Sequence, residues 1–435
     1  MKCVRCGIDN TLKDRTGNYG ACKSCHHPFV FEPTQMGTTK ITDPMFVKII
    51  ADLSVNNTLF FTPKQLLYFL DGRLRRKNAV GTKAAWIASY GILNFILILI
   101  FSNAFPFAGS DTFFWVGLII SAFFVFAIFR TSKSEKLTTK IRRNASESLS
   151  ILGAIVLILG VGASIFLESF FQFTLSISLG LFAIYLGFRQ ADRQQEFTQK
   201  LIIQFEQLQD WLHRWQQING SVVQLLPSPR EQLAPVEVNP EVSAYSFDHL
   251  VVCEKATIAQ LLIKNNFHFE HNCAILSITG YPENIFETTL EMVRRNPDLK
   301  VYVFHDCSAQ GIRVVHQVKH SPQWFQNSDV AIVDVGLSPQ QVIASKGGLF
   351  VQRSPEAAQQ AKPQLAELRS SLLAADLDWL EAGNFVELES FTPQKLMQVL
   401  HRSISDTREL DSESGSDLFF VGDSGGYFYT SESFG

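Results

Sequence analysis

Four long apolar runs in the middle of the chain constrain its fold most strongly. They cover residues 84–105, 113–129, 149–167 and 170–188 of a 435-residue sequence. A helix of about twenty such residues crosses a hydrocarbon layer roughly 30 Å thick, whereas a helix of a soluble core would carry the polar face that these runs lack. The sequence therefore predicts an integral, multi-pass protein of a plasma or internal bacterial membrane, with four transmembrane helices in two hairpins within residues 84–188.

The distribution of Lys and Arg around these runs predicts their orientation. Basic residues precede the first run, fill the connection between the second and third, and follow the fourth; they are Arg73, Arg75, Arg76, Lys77, Lys83, Lys133, Lys136, Lys140, Arg142, Arg143, Arg189 and Arg193. The other two connections, around "PFAGSD" and Glu168, carry none. Since short cytoplasmic loops are enriched in Lys and Arg, we expect both termini in the cytoplasm and the lipid bilayer as the first partner.

Four of the seven cysteines form a metal-ligand pattern near the N-terminus. Cys3 and Cys6 lie in "CVRC", and Cys22 and Cys25 lie in "CKSC", the spacing of a four-thiolate zinc site. Disulfides are the alternative, which a reducing cytoplasm disfavours. Residues 1–32 resemble a zinc ribbon, in which a closed shell makes zinc structural. His26 and His27 are expected to be bystanders.

The remaining segments flank these two features. A small helical unit is predicted at 43–80, an amphipathic cytoplasmic helix at 194–218, a Pro-rich linker at 226–245, a helical extension at 355–402 and a flexible tail at 403–435. The amphipathic helix is expected either to lie on the membrane or to pair with a second copy, which leaves a homo-oligomer open.

"FTPKQLLYFL" and "FTPQKLMQVL" share one helix start, with Thr62 or Thr392 as the cap. The tail's "GDSGG" copies a serine-protease loop, but too little chain follows it for a protease barrel.

Between the linker and the extension, residues 246–350 alternate strands and helices. The strands "HLVVCEK", "CAILSITG", "VYVFHD" and "VAIVDVG" are apolar and β-branched, which predicts an α/β layer with a largely parallel sheet. Sites in such sheets gather at the carboxyl ends of the strands. Glu254 and Asp306 stand at two of those ends, and we expect Asp306 to be an exposed loop acid.

The order "VVCEKATIAQLL", "ILSITGYPENIF", "VYVFHDCSAQGIRVV" and "DVGLSP" resembles the Toprim domain of the A subunit of topoisomerase VI and of the related meiotic double-strand-break proteins, over about residues 247–342. The resemblance implies Glu254 as general acid/base, Asp306 as a magnesium ligand and Gly311 as the turn glycine of the cofactor loop. Ser308 stands in that loop where the family has a second Asp. Because Mg²⁺ prefers hard carboxylate oxygens, we expect weaker magnesium binding, by Asp306 together with Glu254 and a substrate phosphate, unless Asp334 supplies the missing acid.

Two functions remain open from the sequence. The first is a membrane-anchored cytoplasmic binding or regulatory protein, in which a zinc ribbon and a degenerate Toprim-like domain engage a protein partner, a nucleotide or nucleic acid. The alternative is a Mg²⁺-dependent enzyme that cleaves phosphodiester or phosphoanhydride bonds. Topoisomerase activity is not expected, because the partner domain with its nucleophilic tyrosine is missing. A net charge of −3 gives no sign of strong nucleic-acid binding.

Overall fold

The structure is a computed structural model, and it describes residues 1–37, 39–77, 83–104, 110–134, 139–166, 168–192, 198–229, 247–283, 285–296, 298–326, 328–345 and 348–413. The helices are α1 (Leu12–Gly17), α2 (Asp43–Leu53), α3 (Pro63–Lys77), α4 (Lys83–Ala104), α5 (Ser110–Lys133), α6 (Thr139–Phe166), α7 (Phe170–Asp192), α8 (Phe205–Asn219), α9 (Ala256–Lys264), α10 (Phe267–His271), α11 (Phe286–Arg294), α12 (Ala309–His320), α13 (Pro339–Ala344), α14 (Pro355–Gln364), α15 (Ala374–Glu381) and α16 (Pro393–Glu413). The strands are β1 (His249–Cys253), β2 (Cys273–Ser277), β3 (Lys300–Phe304), β4 (Ala331–Asp334), β5 (Gln352–Arg353) and β6 (Asn384–Phe385).

The chain divides into two compact units. The first comprises Met1–Arg73, Leu201–Ser345 and Leu349–Gly435, and the second comprises Leu74–Lys200 with Lys346–Gly348. The first unit therefore brings together the N-terminal ribbon and the α/β region, although the apolar runs separate them in sequence.

A four-stranded sheet forms the centre of the first unit. Its order is β2-β1-β3-β4, and every neighbouring pair is parallel, as the sequence predicted. One face packs on α9 and α16, and the other packs on α11 and α12. Both faces are covered, which is why β1 and β2 are buried along their whole length and read as continuous apolar runs. Cys253 and Phe304 are in register at the ends of β1 and β3, so the residues that follow them meet at one edge.

The N-terminal ribbon packs on α2 and α8 through aromatic rings. The ring centroid of Phe31 lies 5.2 Å from that of Phe46, 5.9 Å from that of Trp211 and 6.1 Å from that of Trp215. The amphipathic helix begins at Phe205, later than the predicted residue 194, and it buries Leu208 with the two tryptophans. This helix thus uses its apolar stripe within its own chain. Residues 193–197 lie outside the described ranges.

The C-terminal extension is longer than predicted. Helix α16 runs to Glu413, so residues 403–413, expected to begin a flexible tail, are helical. The reason is burial, because Ile404 joins Leu396, Val399 and Leu400 in the core below the sheet. The "GDSGG" stretch lies outside the described residues, and so does most of the predicted Pro-rich linker.

The second unit contains the apolar helices. Within the part of the chain that the structure describes, three helical segments are long and apolar enough to cross a membrane, namely Phe114–Lys133, Ile141–Phe166 and Phe170–Ala191. The first predicted run falls in α4, whose apolar part among the described residues is the shorter Ala85–Ile96. Three of the four predicted spans are thus supported by length and composition, and the remaining one stays a prediction.

Helices α6 and α7 approach closely because glycines face each other. A Cβ atom on Gly153 would lie 2.8 Å from the carbonyl oxygen of Gly180, and one on Gly180 would lie 3.0 Å from the carbonyl oxygen of Gly153. Small residues at a helix interface are the usual way in which transmembrane helices gain packing contacts.

Candidate functional site

The four N-terminal cysteines converge as their spacing predicted. The Sγ atoms of Cys3 and Cys25 are 3.7 Å apart, those of Cys6 and Cys22 are 3.6 Å apart, and all four lie within 4.8 Å of one another. A tetrahedral zinc ion with bonds of about 2.3 Å would place its sulfurs about 3.8 Å apart. The cluster therefore has the geometry to hold a metal of this kind.

Each CxxC pair is shaped by a tight turn. Gly7 donates its N–H to the carbonyl of Cys3 at 2.9 Å, and His26 donates to the carbonyl of Cys22 at 3.0 Å; both have positive φ angles, +75° and +54°. The backbone N–H groups of Cys25 and Ser24 lower the pKa of the Cys22 thiol to about 6, which favours its thiolate. The N–H of Ile8 alone would lower the pKa of Cys6, but burial and the neighbouring sulfurs outweigh it and raise that pKa. His26 thus takes the turn position that Gly7 takes in the first pair.

His27 bonds to α8 through its side chain. Its Nε2 lies 3.0 Å from Oδ1 of Asn219, which ties the ribbon to the end of that helix. The expected bystander role of His27 is consistent with this contact.

The two acids of the Toprim-like motif meet at the carboxyl edge of the sheet. The backbone N–H of Asp306 donates to Oε2 of Glu254 at 2.8 Å. They meet because β1 and β3 are neighbours in register. Burial, together with the charge of Asp306, raises the pKa of Glu254 to about 7. The structure thus brings together the two residues predicted to form the site.

Asp306 is buried, with 4% of its surface exposed, and the expectation of an exposed loop acid was wrong. Its Oδ2 lies 2.6 Å from Nζ of Lys255. Its Oδ1 accepts the backbone N–H of Leu388 at 2.7 Å. Because the C-terminal extension returns across this edge, both carboxylate oxygens are bonded within the chain.

The segment that covers the edge carries two further acids. It is Val386–Ser390, here called the strap, and its Val386 exchanges backbone hydrogen bonds of 2.9 and 3.0 Å with Cys307. Glu387 Oε1 lies 2.8 Å from Nζ of Lys255 and 2.8 Å from Nζ of Lys64. Burial alone would raise the pKa of Glu387, but the two ammonium groups outweigh it and lower that pKa to about 2.

Helix α3 supplies most of the remaining contacts to the strap. Tyr68 donates its hydroxyl to Oε2 of Glu387 at 2.7 Å, and Thr62, the residue before α3, donates to Oε1 of Glu389 at 2.8 Å. Burial raises the pKa of Glu389 despite the nearby lysines. The edge is therefore a network of opposite charges drawn from α3, β1, β3 and the strap.

Ser308 and Gly311 have local roles at the start of α12. The hydroxyl of Ser308 accepts the N–H of Gly311 at 2.9 Å and caps the helix. A Cβ atom on Gly311 would lie 2.1 Å from the carbonyl oxygen of Asp306 and 3.0 Å from Oε2 of Glu254. Gly311 is therefore required for the close approach of the two acidic residues to the helix.

Asp334 pairs with a histidine instead of joining the acidic pair. Its Oδ1 lies 2.9 Å from Nε2 of His305, whose Nδ1 lies 2.7 Å from the carbonyl oxygen of Asp306. Within the described residues, the four cysteines form the one cluster of three or more Cys, His, Asp or Glu side chains whose ligand atoms lie within 4.8 Å of one another. The suggested replacement of the missing acid by Asp334 is not seen.

Sequence reasoning missed Lys64, Tyr68, Glu387 and Glu389. One signal was present, because the two "FTP" helix starts meet here: Thr62 contacts Glu389, and Nε2 of Gln65 donates to the carbonyl of Phe391 at 3.0 Å. In the sequence, a shared cap is enough to explain their likeness. Because more than 300 residues separate the two helix starts, their likeness alone does not predict that they are in contact.

Comparison with protein families supports the motif assignment. Residues 249–345 match the family model of the Toprim domain found in topoisomerase 6, in its A subunit, and in Spo11. No curated protein and no solved structure matches the chain. The α/β region of this protein is therefore a Toprim-like domain of the topoisomerase 6/Spo11 type.

Proposed function

We propose that this protein is a membrane-anchored binding or regulatory protein, and that its Toprim-like domain engages a partner, a nucleotide or nucleic acid without metal-dependent cleavage. One observation carries the proposal. Both carboxylate oxygens of Asp306 are engaged, one by the Lys255 ammonium and one by the Leu388 N–H.

A magnesium ion would have to displace these partners. Mg²⁺ binds through hard anionic oxygens and gives up its water reluctantly, and here it would have to replace an ammonium group that lies 2.6 Å from Oδ2 of Asp306. Ser308, which stands in place of a second acid, is committed to capping α12. We therefore expect Asp306 to keep Lys255 and the Leu388 N–H as its partners and not to bind a metal ion.

The N-terminal cluster supplies the second half of the proposal. Four thiolates in a closed shell hold zinc as a structural ion and leave no position for a substrate. The ribbon is built into the same compact unit as the Toprim-like domain. We infer that the two modules act together on the cytoplasmic side, with the apolar helices as the anchor.

A test of this orientation uses the short connections. With both termini cytoplasmic, a cysteine introduced at position 109 or 168 of an otherwise cysteine-poor chain reacts with an impermeant maleimide on intact cells. A cysteine at position 142 reacts only after permeabilisation. Labelling in the opposite pattern would reverse the orientation.

The alternative is a Mg²⁺-dependent enzyme acting on phosphodiester or phosphoanhydride bonds. One observation favours it: the pKa of Glu254, raised to about 7 by burial and by Asp306, suits a general acid/base at neutral pH. In that case Asp306 would hold the ion after releasing Lys255.

Magnesium titration of the full-length protein in detergent decides between the two. We expect Mg²⁺ and Mn²⁺ to leave the melting temperature unchanged in the wild type and in Asp306→Asn, and we expect no nuclease or nucleotide hydrolysis. Asp329→Asn is the control, since it removes an exposed acid of the same domain. A cation-dependent stabilisation that disappears in Asp306→Asn, and grows in Ser308→Asp, would contradict the metal-free proposal, and hydrolysis that also requires Asp306 would establish the enzyme.

A further inference from the structure

Two lysines at the covered edge converge on a single oxygen atom. Nζ of Lys64 and Nζ of Lys255 each lie 2.8 Å from Oε1 of Glu387. The hydroxyl of Tyr68 donates to the other oxygen, Oε2, at 2.7 Å. One carboxylate thus receives three donors, two of them cationic, from α3 and from the end of β1.

Each of the three donors has a second contact besides Glu387. Lys255 is also paired with Asp306 at 2.6 Å, Tyr68 also contacts the side-chain amide of Gln352, and the ring of Tyr68 packs at 5.2 Å on that of Phe350. Nζ of Lys64, on a partly exposed side chain, also lies 4.0 Å from Oε2 of Glu389. Lys255 and Tyr68 are therefore preorganised, and Lys64 completes a cage of donors around an anion.

Two cationic and three anionic side chains meet at this edge; they are Lys64 and Lys255, with Asp306, Glu387 and Glu389. Without Glu387, the ammonium group of Lys64 would keep, among the described residues, only the more distant Glu389, at 4.0 Å, as an anionic partner.

We propose that Lys64, Tyr68 and Lys255 form a phosphate-binding cage, and that Glu387 of the strap is its built-in occupant. A phosphate group presents the same hard, anionic oxygens, and it can accept two ammonium donors and a hydroxyl at once. The strap is the competitor that a phosphate-bearing ligand must displace. This inference rests on the proposed function and names its ligand class.

The test removes the carboxylate of Glu387 from the cage and adds inorganic phosphate as the ligand. Full-length Glu387→Ala, purified in detergent, is melted in sodium phosphate and in sodium chloride of equal ionic strength. We expect phosphate at roughly tens of millimolar to raise the melting temperature of this variant by about 5 °C. The wild type, whose cage is filled, should melt at the same temperature in both salts.

Two matched variants make the result specific. Glu387→Gln removes the charge but keeps the volume, so it should respond to phosphate less than Glu387→Ala does. Lys64→Met combined with Glu387→Ala removes a donor and should abolish the response. Glu381→Ala removes a glutamate that pairs with Arg369 away from the cage, and it should behave as the wild type does.

The outcome decides the inference in each case. Equal melting of Glu387→Ala in both salts would overturn it, and so would failure of that variant to fold in phosphate as well as in chloride. A phosphate response that survives the loss of Lys64 would place the anion elsewhere. The wild-type magnesium titration is independent of this experiment, so failure of the cage and failure of the metal-free proposal are distinguishable.

Discussion

The imidazole Nε2 of His305 lies 2.9 Å from Oδ1 of Asp334, and the ring is fully buried at the end of β3. Its other nitrogen faces the carbonyl oxygen of Asp306 at 2.7 Å. Both neighbours are acceptors, so the ring donates from both nitrogens and carries a positive charge. Burial opposes that charge, but Asp334 outweighs it and raises the pKa of His305 to about 9.

This pair predicts a loss of stability at alkaline pH. The pKa of His305 is about 9 in the folded protein and about 6.5 in the unfolded chain. Its contribution, on the order of 3 kcal/mol, is therefore fully present below about pH 6.5 and is lost as the pH rises through about 9. Urea unfolding of the full-length protein between these values should show the decline in the wild type and not in His305→Asn. The His320→Asn variant, which changes an exposed histidine, should keep the decline. An equal dependence of the free energy of unfolding on pH in all three proteins would contradict the positive charge of His305.

The ion pairs of Lys255 predict a large effect of one substitution. Lys255→Met leaves Asp306 and Glu387 without their inner cation, and we expect the free energy of unfolding to fall by about 2–4 kcal/mol, after allowing for partial exposure of the lysine. Lys264→Met is the matched control, because it removes an exposed lysine from α9, the helix that begins directly after Lys255. Chemical denaturation of both variants measures the difference, and comparable stabilities would mean that the network contributes little.

The aromatic contacts of Phe31 predict an optical signal for loss of zinc. Chelation should unfold residues 1–32, because metal binding supplies most of the folding free energy of such modules, and should expose Trp211 and Trp215, which pack on Phe31. We expect a red shift in tryptophan emission and zinc near one ion per chain before chelation. Cys22→Ser should abolish zinc binding, and His26→Asn, which suits the positive φ, should retain it. A protein that is free of zinc and unchanged by chelators would refute the assignment.

The contact of α6 with α7 predicts that glycine is required at their interface. Gly180→Leu would drive its side chain into Leu157 and the backbone of Gly153, and overpacking of this kind costs about 1–3 kcal/mol. Gly162→Leu is the control, since a Cβ atom there meets nothing within 4 Å. Thermal aggregation in detergent should begin at a lower temperature for the first variant alone. Equal behaviour of the two would show that this interface is adaptable.

The sequence by itself determined the local features of this protein. The CxxC spacing predicted the convergence of four sulfurs, the β-branched runs predicted the parallel sheet, and the ordered motifs predicted that Glu254 and Asp306 would meet. Each of these depends on residues close in sequence or on strands whose carboxyl ends share one edge. Local patterns of this kind are encoded within a few turns or strands, so they can be identified before the chain is folded.

Only the tertiary structure decided what surrounds the acidic pair. Lys64 and Glu387 are separated by 323 residues, and no periodicity or motif links them. Their contact arises because the core below the sheet buries the apolar residues of α16 and thereby carries the strap across the edge. Burial and charge pairing then leave both carboxylate oxygens of Asp306 bonded within the chain, instead of exposed to solvent. These effects depend on the environment that distant segments create together, which is why a motif can be recognised in the sequence while its chemical state cannot.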